Sequence, residues 1–178
     1  IFNDALVSLS FKGLTNLSDV QCGSNPQLSI IETGEKINVR SLSIGDCAFR
    51  SLEFINSFPL LQELSCSSNN LTSLDLSELP LLRSVDCSDN KKLVHLQIPE
   101  QNSVNPILQN LDCSFCYLDE KELNAIFCVL PVAPNPYPEY PSGYGITFNG
   151  NPGSENCDRK LVEDKGWNIF VNPEAVSY

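Results

Sequence analysis

The chain of 178 residues has no methionine, one tryptophan and one histidine, and its 11 basic side chains are outnumbered by 22 acidic ones. A net charge of −11 repels phosphate backbones and anionic headgroups, so nucleic acid and charged membrane surfaces are not expected partners. No apolar run approaches the roughly 18 residues that a membrane-spanning helix needs, and no insertion into a bilayer is expected. The single histidine, His95, has no serine or cysteine marked beside it with an orienting carboxylate, so nucleophile–base catalysis lacks its parts. Phosphate-binding loops, dinucleotide fingerprints, paired zinc-binding histidines and strained nucleophile turns are also missing. The reading is therefore of a protein that is not an enzyme, with no cofactor and no bound metal.

What is present is a repeat. Aligning LLQELSCSSNNLTSL (60–74) with LLRSVDCSDNKKLVHL (81–96) superimposes Leu61 on Leu82, Leu64 on Val85, Cys66 on Cys87 and Asn69 on Asn90. The same spacing finds Leu108, Leu111, Cys113 and Cys116 downstream. Upstream it finds Val39, Leu42, Ile44 and Cys47, and then Leu17, Val20, Cys22 and Asn25. Positions 22, 44, 66, 87 and 113 thus recur every 21 to 26 residues, the period of a leucine-rich repeat, and the longest step contains the polar stretch PEQNSVNP (99–106), read as a bulging loop.

Each unit has a physical reading. Apolar residues two apart make a short strand with one row facing inward, and such a strand cannot hide its apolar row alone. Stacked copies form a parallel ladder whose inner side, with returning leucines such as Leu74, Leu76, Leu79 and Leu82, makes one core. Where the chain turns after each strand, buried backbone groups need partners, and an amide side chain donates and accepts at once. Asn25, Asn69, Asn90 and Asn151 are assigned that structural task, with Cys47 and Cys116 in the same slot. Cys22, Cys66, Cys87 and Cys113 fill the inward strand slot as small buried hydrophobes.

After Leu118 the repeat stops. The run 119–131 predicts a helix, with Asp119 as N-cap, Glu122 three residues on, and Leu123, Ile126, Phe127 and Leu130 on one face. Residues 131–145 hold five prolines and three tyrosines and read as a loop. GITFNGNPG (145–153) restores the strand-and-turn signature, residues 157–166 suggest a second short helix, and Trp167, Ile169 and Val171 alternate as a last strand. Trp167 is expected to cover the open end of the core. The division is one domain over 1–178, with repeats in 1–118 and a C-terminal cap in 119–178.

The stretches LSCSSNNLTSLDLSELPLL, EKELNAIFCVLP and GNPGSENCD…KGW resemble the leucine-rich-repeat proteins exported by gut-type Bacteroidetes, many of them lipoproteins or parts of larger surface proteins. The resemblance covers about residues 39–172. It implies an α/β fold of the leucine-rich-repeat solenoid type, a right-handed β/α superhelix with a parallel ladder of short strands. It also implies export to the cell surface or periplasm, and protein–protein recognition without catalytic residues. With Ile1 opening the sequence, the chain is expected to be an excised or processed piece, and any export signal, lipid anchor or further domain would lie outside it.

The face outside the ladder is expected to be small, polar and acidic, formed by Ser41, Ser43, Glu63, Ser65, Ser84, Asp86, Ser88, Asn110, Asp112 and Ser114. Asp86 and Asp112 should face each other roughly 5 Å apart, either as solvated carboxylates or bridged by a cation. Binding residues are assigned to that face (Glu63, Asp86, Asp112) and to the loop tyrosines Tyr137, Tyr140 and Tyr144, because contact hot spots favour aromatic rings. Cys128 and Cys157 fit no repeat slot, and a disulfide between them or two free thiols are both open. The expected function is a monomeric protein-binding or adhesion module, or alternatively a structural spacer in a larger surface protein.

Overall fold

The computed structural model describes residues 3–100, 108–134 and 143–172. Its main element is a sheet of seven strands of three residues each: β2 (Asp19–Gln21), β4 (Ser41–Ser43), β5 (Glu63–Ser65), β7 (Ser84–Asp86), β9 (Asn110–Asp112), β10 (Gly145–Thr147) and β11 (Asn168–Phe170). All pairings are parallel, and each strand lies beside the next in chain order. Val20, Leu42, Leu64, Val85, Leu111, Ile146 and Ile169 align across the centre of the ladder, and all but Ile169 are buried. One inward residue between two outward ones is the shortest unit that a two-residue strand period allows.

Positions 22, 44, 66, 87 and 113 follow the strands directly and extend the ladder. The Cys22 N–H donates to Ser43 O (2.9 Å), Ile44 to Ser65 (2.8 Å), Cys66 to Asp86 (2.7 Å), Cys87 to Asp112 (2.8 Å) and Cys113 to Thr147 (2.9 Å). The last of these ties the repeat to the segment that carries Phe148, as the sequence reading requires. Between ladder strands the chain returns on the opposite side of the core. There β1 (Ser8–Ser10) pairs with β3 (Ile30–Glu32) and β6 (Ser73–Asp75) with β8 (His95–Gln97), while one circuit makes a 3-10 turn at Glu53–Ser57 instead. Phe49, Phe54 and Phe58 pack around that turn with ring centroids 5.8 and 5.9 Å apart.

The buried amides sit where the repeat places them. Asn69 Nδ2 donates to Ile44 O (2.9 Å), Cys66 O (3.0 Å) and Ser67 O (3.1 Å), while its Oδ1 accepts the Phe49 N–H (2.9 Å). Asn90 repeats this with Cys66 O, Cys87 O, Ser88 O and the Leu71 N–H. Asn25 and Asn151 do the same at the two ends, with Asn3 N–H and Leu118 N–H as donors to their carbonyl oxygens. In the equivalent slots the Cys47 thiol points to Cys22 O and Gly45 O, and the Cys116 thiol to Cys87 O and Ser114 O, at 3.3–3.6 Å. A thiol covers carbonyls but weakly.

One regularity has no mark in the sequence. The residue before each of these slots is left-handed: Ser24, Asp46, Ser68, Asp89, Phe115 and Gly150, with φ between 52° and 76°. At the five non-glycine positions the conformation turns the N–H toward a carbonyl of the next circuit, as with Ser68 to Ser88 O and Phe115 to Asn149 O, both 2.9 Å.

Helix α1 (Glu120–Val129) closes the C-terminal side with Leu123, Ile126 and Phe127 buried. Asp119 caps it by accepting the Glu122 N–H at 2.8 Å. Glu122 reaches across to β8 instead of back to its own N-cap: its Oε1 accepts the Leu96 N–H at 3.0 Å, satisfying an edge group of the β6–β8 sheet. Lys165 Nζ donates to Cys128 O and Leu130 O, both at 2.6 Å, at the helix C-terminus, where a cation suits the dipole. Helix α2 (Lys160–Glu163) is shorter than the sequence suggests. Trp167 is buried as expected, its Nε1–H donating to Pro131 O at 2.7 Å.

Candidate functional site

The two outward positions of each of the seven parallel strands give a continuous surface of fourteen positions, thirteen of them bearing side chains and one, Gly145, bare. Asp19, Ser41, Glu63, Ser84, Asn110, Gly145 and Asn168 form one row, and Gln21, Ser43, Ser65, Asp86, Asp112, Thr147 and Phe170 the other. Four are acidic and none is basic. Most are small, so the surface is shallow and a broad partner could approach the backbone closely.

The structure brings two of the expected acidic residues together. Asp86 and Asp112 are register partners on β7 and β9. Each is held from below by a serine. Asp86 Oδ1 accepts from Ser88 N (3.1 Å) and Ser88 Oγ (2.6 Å), and Asp112 Oδ1 from Ser114 N (2.9 Å) and Ser114 Oγ (2.6 Å). Ser88 and Ser114 are therefore buried supports and not part of the exposed face, a correction to the sequence reading. Burial pushes the Asp112 carboxyl above the usual carboxylate range. The Ser114 bonds pull it back, and the charges of Asp86 and Asp89 raise it further. Among the described residues no three His, Cys, Asp or Glu side chains converge as a metal would need. Glu63 lies two strands from Asp112 and accepts a 3.2 Å bond from Ser41 Oγ.

The tyrosine assignment divides. Tyr137 and Tyr140 lie outside the described residues. Tyr144 is only 6% exposed, its ring packed edge-on against Trp167 with centroids 5.5 Å apart, so it belongs to the cap core and does not offer an exposed contact. Its place immediately before β10 explains this, because the chain there enters the ladder and Tyr144 O accepts the Asn168 N–H at 3.0 Å.

The aromatic residue that the face does present went unremarked in the sequence. Phe170 is 54% exposed. Its ring lies over Gly145, where any Cβ would come within 2.4 Å of Phe170 Cε2. Phe115, half-buried, lies over Gly150 in the same way, with a Cβ there at 2.3 Å from its Cδ1. Asn172 joins the circuits: its Nδ2 reaches Ser114 Oγ (3.1 Å) and Asp112 Oδ2 (3.5 Å), and its backbone pairs with the Asn149 side chain. The alternation of Trp167, Ile169 and Val171 was the available signal, since it leaves Phe170 pointing out. Tyr117, 60% exposed after the Cys116 turn, is a second exposed aromatic outside the expected set.

All eight cysteines are free, seven of them buried and Cys128 exposed. His95 is exposed on β8, with its Nδ1 3.4 Å from Glu122 Oε2 and no nucleophile paired to it among the described residues. No described helix is long and apolar enough to cross a membrane. No protein-family model matches the chain, and no curated protein matches it.

Proposed function

We propose that this chain is a leucine-rich-repeat solenoid of the exported bacterial type, and that it binds another protein through the outward face of its strand ladder. The observation that carries the reading is the face itself: fourteen outward positions in two registered rows, acidic at four positions, basic at none, with Phe170 exposed at one end. A parallel ladder stacked through buried amides is a rigid support, and recognition surfaces built on regular strands hold their side chains in fixed relation. Acidic residues steer a basic partner toward the face, and an exposed aromatic ring supplies buried area when it docks. Display at the cell surface or in the periplasm accompanies this reading.

The test is capture of purified surface proteins on an array by the intact chain and by a face variant carrying Glu63→Arg and Phe170→Ser. The reading expects one or a few saturable partners, with affinity that falls with added salt and is lost in the variant. Equal capture by both proteins would remove the face as the site. Capture of nothing would favour the structural-spacer alternative.

A further inference from the structure

Asn149–Gly150 is the only asparagine–glycine pair in the chain. This dipeptide has a chemistry of its own, because the amide nitrogen of an unhindered glycine can attack the preceding side-chain carbonyl, and asparagine is among the thermolabile residues for that reason. Gly150 is left-handed, with φ of 76°, and among the described residues its N–H donates to no acceptor. The nucleophile is therefore not engaged elsewhere.

The side chain at risk has a structural task. Asn149 Nδ2 donates to Asn172 O at 2.8 Å and Asn149 Oδ1 accepts from Asn172 N at 2.9 Å, a reciprocal pair that closes the segment after β11 onto the ladder. Asn172 then extends to Ser114 and Asp112 on the strand face. We propose that Asn149 is a site of spontaneous deamidation, and that its conversion unfastens Asn172 and loosens the strand that carries Phe170.

The steps balance with water as the only co-reactant. The Gly150 nitrogen loses its proton and bonds to Asn149 Cγ, the Cγ–Nδ2 bond breaks, and ammonia leaves. Water then opens the resulting succinimide at either carbonyl to give aspartate or isoaspartate. In aspartate the Nδ2 donor has become a carboxylate oxygen, so two acceptors face each other where Asn149 met Asn172 O; in isoaspartate Cγ has become part of the main chain, bonded to the Gly150 nitrogen, and the side-chain amide is lost altogether. The new charge also joins a network that already contains Asp112.

The intact chain is aged in warm, mildly alkaline buffer and mapped by peptide mass spectrometry, with the urea-unfolded chain as reference. Conversion at Asn149 is expected ahead of every other asparagine. Asn149→Asp is expected to fold, with hydrogen exchange about tenfold faster across 168–172, the equivalent of one net hydrogen bond, and unchanged protection in β4 to β9. An aged folded chain in which other asparagines convert and Asn149 does not would overturn the assignment of the site. Unchanged exchange across 168–172 in Asn149→Asp would overturn the proposed consequence.

Discussion

Replacing Asn90 with leucine should cost about 2–4 kcal/mol, because a buried N–H loses its only acceptor and three carbonyls lose a shared donor. The amide is fully buried and spans two circuits, with its Nδ2 at 3.0 Å from Cys66 O and 2.9 Å from Cys87 O and its Oδ1 at 3.1 Å from the Leu71 N–H. Leucine of similar size fills the space but leaves the Leu71 N–H unpaired, which by itself costs about 1–3 kcal/mol. Cysteine at the same position should be milder, at about 1–2 kcal/mol, since a thiol still covers carbonyls as Cys47 and Cys116 do. Ser65→Ala on the outer face should stay within about 0.5 kcal/mol of the parent. Urea titrations followed by circular dichroism, with unchanged m-values, give the ranking. Equal costs for leucine and cysteine would refute the argument, because packing alone would then explain the position.

Two further outcomes follow from burial. Asp112 has a raised carboxyl pKa in the folded protein, so its ionised form opposes folding at neutral pH, and that cost disappears as pH falls through the folded value toward the ordinary carboxylate value near about 4. Asp112→Asn, which keeps an oxygen for Ser114, should therefore be more stable than the parent at neutral pH and equal to it in acid; thermal melts that show a difference independent of pH across that range would mean that the carboxylate is well solvated and refute the argument. Of the eight thiols, Cys128 alone should react promptly with a disulfide reagent in the native protein, and all eight should react in denaturant. Burial raises the pKa of Cys22, Cys47, Cys66, Cys113 and Cys157, a hydrogen bond with Cys116 together with burial raises that of Cys87, and a second fast thiol would contradict the packing.

The ladder was legible because its signal repeats: Leu42, Leu64, Val85 and Leu111 recur at steps of 21 to 26 residues, and a buried amide or thiol follows each five residues on. The helix at Glu120–Val129 was legible from its cap and apolar face. The return strands were not, since Ser73–Asp75 and His95–Gln97 each show a single inward leucine, too little to separate strand from turn. The left-handed column was hidden because serine, aspartate and phenylalanine occupy it where glycine would have announced it. Glu122 read as half of a capping box, and only the nearness of β8 shows why its carboxylate turns away. On the face, Asp86 and Asp112 followed from register alone. Tyr144 was misplaced because proline and tyrosine composition does not reveal where a loop ends and a core begins.

The alternation of asparagine and cysteine among the turn slots sets where the stack is weakest. Asn69 and Asn90 fasten neighbouring circuits with strong amide bonds, whereas at Cys47 and Cys116 the fastening to the previous circuit is a thiol at 3.6 and 3.3 Å. Under force or mild denaturant the chain therefore has two planes of easy parting, one between the circuits of β2 and β4 and one between those of β7 and β9. The piece between them, bearing β4, β5 and β7, is held by amide bonds at both of its own seams, as Asn151 holds β10 to β9.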